Sequence, residues 1–188
     1  MVNEKLLDRA EQKMQVTDAD GNLTGEIVRR VDAHKSPGIK HLAFLVFVIN
    51  DKNEFVLHRR IGKKIGGNTI DSPVSHVLEG ETLEEAVHRC LKHEYGIEEK
   101  LPVTNMGGFS YEKDYGDGTC ENEYCLSLFV EYTGPLKPNP EEIDGELIFI
   151  PVKQAIEDAK QDREKFAVWF YPAIEIFEKH SASQKFFK

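Results

Sequence analysis

The chain is poor in cysteine, in positive charge and in long hydrophobic runs, and each shortage excludes a class of protein. Three cysteines without a CxxC pair are too few for a disulfide-rich secreted fold, so we expect Cys90, Cys120 and Cys125 to be reduced thiols. The formal net charge of −9 argues against a nucleic-acid partner. No apolar run approaches the roughly 20 residues of a membrane span. We therefore expect a protein that binds neither nucleic acids nor membranes.

The rest of the composition is typical of one globular domain. Hydrophobic residues make up 40% and charged residues 30% of the 188 residues, a length that suits a single domain over residues 1–188. The first residues, MVNEKLLDRAEQK, are charged throughout, unlike a secretory signal, so we expect a cytoplasmic protein. Leu6, Leu7 and Ala10 lie on one side of a helix, which predicts an N-terminal helical extension over residues 1–14.

Apolar runs separated by turn residues predict a set of short strands. The clearest is the continuous apolar run HLAFLVFVIN, which predicts a buried strand followed by a hairpin return after the DKNE turn. A glycine-containing loop is predicted over residues 61–81. Strands are expected within residues 14–30 (two strands around a DADGN turn), 41–50, 55–60, 106–115, 124–134 and 146–152.

Helical patterns occupy the middle and the end of the chain. In residues 80–97, Thr82 and Glu85 have the spacing of a capping box, and Gly96 marks a helix end. Two helices are predicted at residues 152–165 and 166–180, so that helices make up the C-terminal segment 152–188. The order of strands, helix, strands and helices predicts a mixed α and β class, α/β with α+β character.

Three histidines and two carboxylates stand at the edges of these elements. His34 and His41 bracket the loop before the buried strand, His76 precedes the central helix, and Glu121 and Glu123 have the spacing that places two side chains on one face of a strand. Imidazole and carboxylate ligands together suit a divalent metal such as Zn, Mn or Fe. Because the five residues come from distant segments, spacing alone leaves open that they are structural histidines and a solvated turn.

Charged clusters near the central helix allow further interpretations. Glu81, Glu84, Glu85 and Glu94 are candidates for Mg²⁺ ligands, since Mg²⁺ takes one or two carboxylates together with substrate phosphates. For Glu84 and Glu85 a solvated helix face is the favoured interpretation. The sequence HRRIGKK, residues 58–64, is the densest basic cluster, and it is interpreted as the solvated end of a hairpin or as a local basic pocket.

The helix segment GETLEEAVHRCLKHEYGI resembles a degenerate Nudix box. Aligned on Gly96, the chain keeps most of the box residues outside the central carboxylates: Glu81, Arg89, Leu91, Glu94, Gly96 and Ile97. It departs from the box at Ser75, Cys90 and His93. The resemblance implies the Nudix fold, a mixed β-sheet core flanked by helices, and a role of the box in holding Mg²⁺ around a diphosphate.

Within that superfamily the chain resembles the type I isopentenyl diphosphate isomerases. The segments AHKSPGIKHLAF, SHVLEGE and ENEYC resemble three separated segments of that family, and the likeness spans roughly residues 15–172. It implies that His34, His41, His76, Glu121 and Glu123 bind a divalent metal (Mn, Zn or Mg). The segments FSYEKD and VWF similarly imply that Tyr111 and Trp169 belong to the active site.

The resemblance also implies a reaction. Isomerising a prenyl-type diphosphate requires protonating an alkene on one side and removing a proton on the other, and an indole ring stabilises the transient cation by cation–π attraction. Glu123 and Tyr111 would serve one face, with Trp169 as the ring. The diphosphate, a small-molecule substrate, would lie on Mg²⁺ held by Glu94 and on basic side chains; the matching positions are Arg30, Arg60 and Lys63 or Lys64.

Two positions depart from the isomerase pattern. Val74 stands where the family has a catalytic cysteine, and valine cannot exchange a proton. Cys90 stands where the family has a diphosphate-binding arginine. Three functions follow: an isomerase-family enzyme with weak or absent isomerase activity, a Nudix hydrolase that cleaves a diphosphate linkage, or a non-catalytic diphosphate-binding protein.

Overall fold

Nine strands and four α-helices form the regular structure of residues 9–187, the part of the chain that the computed structural model describes. The strands are β1 (Lys13–Thr17), β2 (Leu23–Arg29), β3 (His41–Ile49), β4 (Glu54–Arg60), β5 (Ile70–Asp71), β6 (Val74–His76), β7 (Thr104–Asp114), β8 (Cys120–Glu131) and β9 (Ile143–Pro151). The helices are α1 (Arg30–Ala33), α2 (Leu83–Tyr95), α3 (Val152–Gln161) and α4 (Phe170–Lys179), with 3₁₀ segments at Arg9–Glu11, Arg163–Lys165 and Ser181–Phe187. The mixed α/β class is confirmed.

Strand β3 is the centre of the sheet. It pairs in parallel with β8 along its whole length, from His41 opposite Glu123 to Ile49 opposite Glu131. It also forms antiparallel pairs with β1, β4 and β6. β2 extends the sheet beyond β1, β7 beyond β8, and both β5 and β9 pair with β4. The sheet is therefore mixed, with one long parallel pair among antiparallel neighbours.

The core lies on both faces of β3, which explains why the sequence of this strand is apolar without alternation. Leu45 and Phe47 point to the face covered by α3 and α4, where Phe47 contacts the rings of Phe170 and Phe177. The opposite face, which carries Phe44, packs against α2. Because side chains alternate along a strand, a strand buried on both faces needs apolar residues at every position.

Helix α2 is built as the sequence predicts. The Thr82 hydroxyl accepts a hydrogen bond from the backbone N–H of Glu85, and the Glu85 carboxylate accepts one from the backbone N–H of Thr82. Gly96 ends the helix at φ 68°, a left-handed conformation that glycine adopts without steric cost. The capping box and the helix end are thus confirmed, and they fix the direction in which α2 presents its side chains.

Several predicted boundaries are wrong. The N-terminal helix falls mostly on residues 1–8, outside the described residues; its remainder is only the 3₁₀ segment already named, and β1 occupies residues 13 and 14. The C-terminal segment is not α-helical between residues 162 and 169: the chain leaves α3 at Asp162, φ −139°, and only the 3₁₀ segment Arg163–Lys165 precedes α4. The predicted loop 61–81 contains β5 and β6, two strands too short to show a period-two pattern.

The cysteines and the helices of the structure bear on two expectations from the sequence. All three cysteines are buried free thiols, as predicted. Within residues 9–187, no helix combines the length and the apolar character that crossing a membrane requires.

Candidate functional site

The structure brings together the five residues predicted to bind metal. His34 follows α1, His41 begins β3, His76 ends β6, and Glu121 and Glu123 lie near the start of β8. The centroids of the three imidazole rings are 4.9 to 5.2 Å apart. Each of the five residues offers a ligand atom within 4.8 Å of the others, and all five are buried. We call this group the His/Glu cluster.

Strand register explains why the cluster forms. Paired residues on neighbouring strands point to the same face of a sheet, and here His41 is paired with Glu123 while Ala43 is paired with His76. Glu121 precedes Glu123 by two residues on an extended strand, so both carboxylates share that face, as their spacing predicts. Only His34 comes from outside the sheet.

Hydrogen bonds to the backbone orient two of the imidazoles. Nδ1 of His34 lies 2.9 Å from the carbonyl oxygen of Arg30, and Nδ1 of His41 lies 2.8 Å from that of Ile39. Since a carbonyl only accepts, each Nδ1 carries a hydrogen, and in the neutral ring Nε2 keeps the lone pair that a metal would bind. Nε2 of His41 and Oε2 of Glu121 are buried and make no hydrogen bond. Buried ligand atoms that are oriented in this way fit a divalent transition metal.

The electrostatics of the cluster favour a bound cation. Burial raises the pKa of Glu121, and repulsion by Glu123 adds to that effect. Burial also acts to raise the pKa of Glu123, but the adjacent imidazoles of His41 and His76 hold it well below its usual range. Burial keeps the pKa of His76 well below its ordinary value, so the ring is neutral, which is the form that binds metals. The two carboxyl groups lie beside the neutral His76 ring, so the cluster has negative charge that a divalent ion would offset.

Tyr111 and Trp169 lie next to the cluster. The Tyr111 hydroxyl donates a 2.5 Å hydrogen bond to Oε2 of Glu123, across the pairing of β7 with β8. Burial, together with the charge of Glu123, raises the pKa of Tyr111 well above its ordinary value, so the phenol keeps its proton. The rings of Tyr111 and Trp169 are 6.0 Å apart. The structure thus brings the three residues of the predicted acid–base face together.

Trp169 is held by a residue that sequence reasoning missed. Its indole N–H donates to both carboxylate oxygens of Asp71, at 3.1 and 3.0 Å, and Nη1 of Arg60 donates to the same carboxylate at 2.8 Å. The guanidinium carbon of Arg60 is 4.9 Å from the centroid of the indole. In the sequence, Asp71 precedes Ser-Pro and has the appearance of a turn residue; no sequence signal marked it as buried.

The basic cluster of residues 58–64 is divided between surface and interior. Arg59 and Lys63 are exposed, as a solvated hairpin end would be. That interpretation is wrong for His58 and Arg60, which are buried. Lys64 points inwards, with Nζ 2.5 Å from Oε2 of Glu142 and 3.5 Å from Oε1 of Glu94.

Glu94 does not join the His/Glu cluster but lies in a second group of charges. Oε2 of Glu94 is buried without a hydrogen bond, and burial raises the pKa of this carboxyl. Glu142, which the sequence did not single out, contacts Arg9 at 2.6 Å and His93 at 2.9 Å as well as Lys64. These contacts outweigh burial and lower the pKa of Glu142. A glutamate in an NPEE loop carries no sequence signal that distinguishes it from a surface residue.

The other acidic residues around α2 have structural partners or face solvent. Glu84 is exposed, and Glu85 belongs to the capping box, in agreement with the favoured interpretation. The Glu81 carboxylate accepts hydrogen bonds from Nε of Arg89 at 2.6 Å and from the backbone N–H of Leu78 at 3.0 Å. Glu81 is therefore engaged within the protein.

An open cleft of about 370 Å³ reaches the His/Glu cluster at His34. Apolar side chains, including Val31 and Ile65, line much of it. Burial lowers the pKa of Arg30, and the nearby positive charge of Arg9 lowers it further. Such a mixture of apolar and cationic surface suits a ligand with an anionic head and a hydrocarbon tail. The cationic side chains that line the cleft are Arg9, Arg30 and Lys35.

Comparison with known proteins assigns the family. A model of the NUDIX domain matches residues 39–170. The isopentenyl-diphosphate Delta-isomerase of Haloarcula marismortui is 32% identical over 175 residues, covering 89% of this chain and 91% of the relative. The chain belongs to the isopentenyl-diphosphate Delta-isomerase family of Nudix proteins. Isopentenyl-diphosphate Delta-isomerase 1 of Photorhabdus laumondii is 30% identical, with 85% of this chain and 90% of that protein covered.

Solved structures share the fold of this isomerase-family chain. The crystal structure of a Deinococcus radiodurans protein superposes with a TM-score of 0.64 at 17% identity, covering 89% of this chain and 98% of that one. The MutT protein from Methanosarcina mazei superposes with a TM-score of 0.59 at 18% identity, over 74% of this chain and 94% of that one. The predicted Nudix fold is confirmed.

The position that departs from the isomerase pattern lies on β6. Val74 is half-buried, is paired with Leu45 of β3, and packs against the apolar cluster that also contacts Tyr111. Its side chain lies on the same face of the sheet as His76, two residues later. In this family member, the face that carries the His/Glu cluster therefore presents a methyl-bearing side chain at position 74, where the sequence resemblance predicts a cysteine.

Proposed function

We propose that this protein is a cytoplasmic, metal-dependent enzyme of the isopentenyl-diphosphate Delta-isomerase family that acts on a prenyl-type diphosphate. One observation carries the proposal. The carboxylate of Glu123 belongs to the buried His/Glu cluster through Oε1 and accepts the Tyr111 hydroxyl through Oε2. A metal-binding group and a proton-transfer group thus share one side chain, as a reaction that moves protons on a metal-bound enzyme requires.

The His/Glu cluster would hold a divalent ion such as Mn²⁺, Zn²⁺ or Mg²⁺. Bound there, the ion would supply the positive charge that keeps Glu123 ionised or tunes its acidity. Glu123 and Tyr111 would then hold and move a proton on one face of the substrate double bond. The Trp169 ring, 6.0 Å from the Tyr111 ring, would face the positive charge that develops on carbon.

The cleft would bind the substrate by its two chemically different parts. Arg30 is the family-matched cation that lines the cleft, and Arg9 and Lys35 add positive charge beside it. A diphosphate group carries the complementary charge. The unpartnered Oε2 of Glu94 would serve Mg²⁺ bound with the diphosphate. Val31 and the other apolar residues of the cleft would receive the hydrocarbon part.

Val74 favours a second candidate, a Nudix hydrolase that cleaves a diphosphate linkage. With valine at position 74, where the resemblance places a cysteine, the second face of an alkene would lack a proton carrier at that position, whereas diphosphate hydrolysis does not need one. Glu94 is available to a hydrolase, but Glu81 is bound to Arg89 and Leu78. The third function, diphosphate binding without turnover, would use the same cleft.

Incubation with isopentenyl diphosphate separates these functions. The purified protein, with Mg²⁺ together with Mn²⁺ or Zn²⁺, is placed in D₂O, and products are followed by NMR and by a phosphate assay. Deuterium incorporation or formation of dimethylallyl diphosphate supports the isomerase, and released phosphate supports the hydrolase. Neither product from any prenyl or nucleoside diphosphate would refute both enzyme functions and leave the binding protein.

A matched pair of variants ties any activity to the proposed site. Glu123→Gln should abolish turnover, because the amide can neither accept the proton nor carry the charge that the cluster requires. Glu112→Gln changes an exposed carboxylate on the neighbouring strand β7 and should leave turnover unchanged.

A further inference from the structure

Asp71 is a carboxyl group with no exposed surface whose oxygens are all engaged. Oδ2 accepts hydrogen bonds from Nη1 of Arg60 at 2.8 Å and from Nε1 of Trp169 at 3.0 Å. Oδ1 accepts from the same indole N–H at 3.1 Å and from the backbone N–H of Ser72 at 2.8 Å. Burying a carboxylate is costly unless such partners compensate, so this arrangement marks a position where the charge is needed.

Arg60 is fixed by the same network. Besides the contact with Asp71, its Nε and Nη2 donate to the carbonyl oxygen of Ile65 at 3.2 and 2.9 Å. A Cβ atom at Gly66 would lie 3.1 Å from the Trp169 ring and 3.7 Å from Nε of Arg60, so the backbone of this loop closes over both groups. The carboxylate, the guanidinium and the indole therefore form one connected unit.

The charge of Asp71 has a specific consequence for the indole. The guanidinium carbon of Arg60 lies 4.9 Å from the centroid of the Trp169 ring. Without a compensating anion, the Arg60 cation would interact with the ring face in place of a second cation. It would also repel that second cation electrostatically. The carboxylate offsets this charge, and as a charge-assisted acceptor for the indole N–H it also increases the electron density of the ring.

We propose that Asp71 is the positioning residue of this site, which orients Trp169 towards Tyr111 and neutralises Arg60 so that the indole can stabilise a positively charged reacting group. The inference rests on the proposed function in one respect, that the Trp169 ring faces the reacting carbon. The orientation of the ring by Asp71 is testable without any turnover.

The environment of Asp71 predicts a pH dependence. Burial raises its pKa to about 6, against the opposing effect of Arg60 on β4. The other ionisable groups that interact with it are Glu94 and Tyr95 on α2, Tyr115 after β7 and Cys125 on β8. Below about pH 6 the carboxyl group is neutral and no longer compensates Arg60.

The fluorescence of Trp169 reports on this unit directly, because the chain contains a single tryptophan. In the wild-type protein, the emission should change with pH with a midpoint near 6. Asp71→Asn keeps an acceptor for the indole N–H but removes the charge, and it should abolish this transition. Asp51→Asn, in an exposed turn, should retain it. A wild-type protein without the transition, or an unchanged transition in Asp71→Asn, would overturn the proposal.

Steady-state kinetics with isopentenyl diphosphate distinguishes positioning from a structural role. At pH 7.5, Asp71→Asn should lower kcat roughly 10- to 100-fold, the size expected for a misplaced catalytic group, with little change in KM. Binding of inorganic diphosphate with Mn²⁺, followed by quenching of Trp169, should be retained within about 3-fold, since these contacts are made by other side chains. An unchanged kcat overturns the proposal; parallel losses of kcat, ligand binding and melting temperature would show a structural role and overturn it too.

Two outcomes remain separable. A wild-type protein without isomerase turnover would refute the proposed function, while the emission measurements still decide the role of Asp71. If Asp71→Asn fails to fold, the wild-type kcat–pH profile is used. Its acid limb should coincide with the emission transition near pH 6, and a kcat that stays constant across that transition would overturn the proposal.

Discussion

The hydroxyl of Tyr111 lies 2.5 Å from Oε2 of Glu123, while Oε1 of the same carboxylate lies 3.3 Å from Nε2 of His41 and 3.0 Å from Nε2 of His76. One carboxylate thus connects a proton donor on β7 with the imidazoles of β3 and β6. Because the two oxygens have different partners, proton transfer and metal binding can be separated by mutation.

Replacing Tyr111 with phenylalanine should remove the proton donor and leave the metal site intact. We expect turnover to fall by about 10²- to 10⁴-fold, the usual contribution of a general acid or base. Metal content, measured by elemental analysis, should stay at the wild-type level, since the phenol contacts only Oε2 of Glu123. Full activity in Tyr111→Phe would exclude the hydroxyl from proton transfer.

Removal of a cluster ligand should release the metal. His41→Ala and Glu123→Ala each remove a buried metal-ligand side chain. The affinity for Mn²⁺ or Zn²⁺ should therefore fall by more than the ~10- to 100-fold that is typical when a residue behind a ligand is replaced. Elemental analysis after dialysis measures the loss. His88→Ala, which removes a half-buried histidine of α2 outside the cluster, is the matched control. Unchanged metal content in either ligand variant would refute the site.

Val74→Cys should restore a proton carrier on the second face. The side chain already lies on the sheet face that carries His76, and the change removes little volume from the apolar cluster beside Tyr111. We expect isomerase turnover to rise by up to about 10²- to 10⁴-fold. Ser75→Cys places a thiol on the opposite face of the same strand and should give no gain. If Val74→Cys gains nothing, valine is not the main obstacle.

The capping box of α2 should contribute measurably to stability. Thr82→Ala removes the hydroxyl that accepts from the N–H of Glu85, which should lower the free energy of unfolding by about 1 kcal/mol and the melting temperature by about 3 °C. Urea titration and calorimetry measure both quantities. Thr133→Ala, at an exposed position, should change neither. Equal stabilities of Thr82→Ala and the wild type would show that the cap is energetically unimportant.

Asp71 should make stability fall as the pH rises through the mildly acidic range. Burial raises its folded pKa to about 6, above the ordinary value of 3.8 that applies to the unfolded chain. Because the folded protein holds this proton more tightly, the favourable contribution is complete below pH 3.8 and lost as the pH rises through about 6. The difference corresponds to about 3 kcal/mol.

The measurement compares urea unfolding of the wild type and Asp71→Asn between pH 4 and pH 7. Subtracting the two curves isolates Asp71 from the other carboxyl groups. The wild type should lose stability relative to the variant up to about pH 6 and then run parallel to it. Parallel curves over the whole range would contradict a raised pKa.

The elements that the sequence predicts well are those whose signals are local. After His41, β3 is apolar at every position because both faces are buried, and the ends of α2 are set by Thr82 and Gly96. The two-residue spacing of Glu121 and Glu123 also predicts a shared face correctly. Each of these signals lies within the element that it describes.

What the sequence could not predict depends on partners far along the chain. Asp71 is buried because Trp169 and Arg60 donate to it, and Lys64 points inwards because Glu142 receives it. Neither relationship leaves a trace in the spacing of residues. The His/Glu cluster also joins distant segments: residue types and spacing made it one of two interpretations, and the resemblance of separated segments to one family favoured it.

Because β3 pairs in parallel with β8, the His/Glu cluster forms only when this part of the sheet has folded. His41 and the two glutamates lie on strands joined by a connection of about 70 residues, so the cluster exists only after this long loop has closed. An ion at this cluster would therefore bind the folded protein and not the unfolded chain. Such an ion would stabilise the folded sheet as a whole, and chelation would lower the free energy of unfolding of the entire domain.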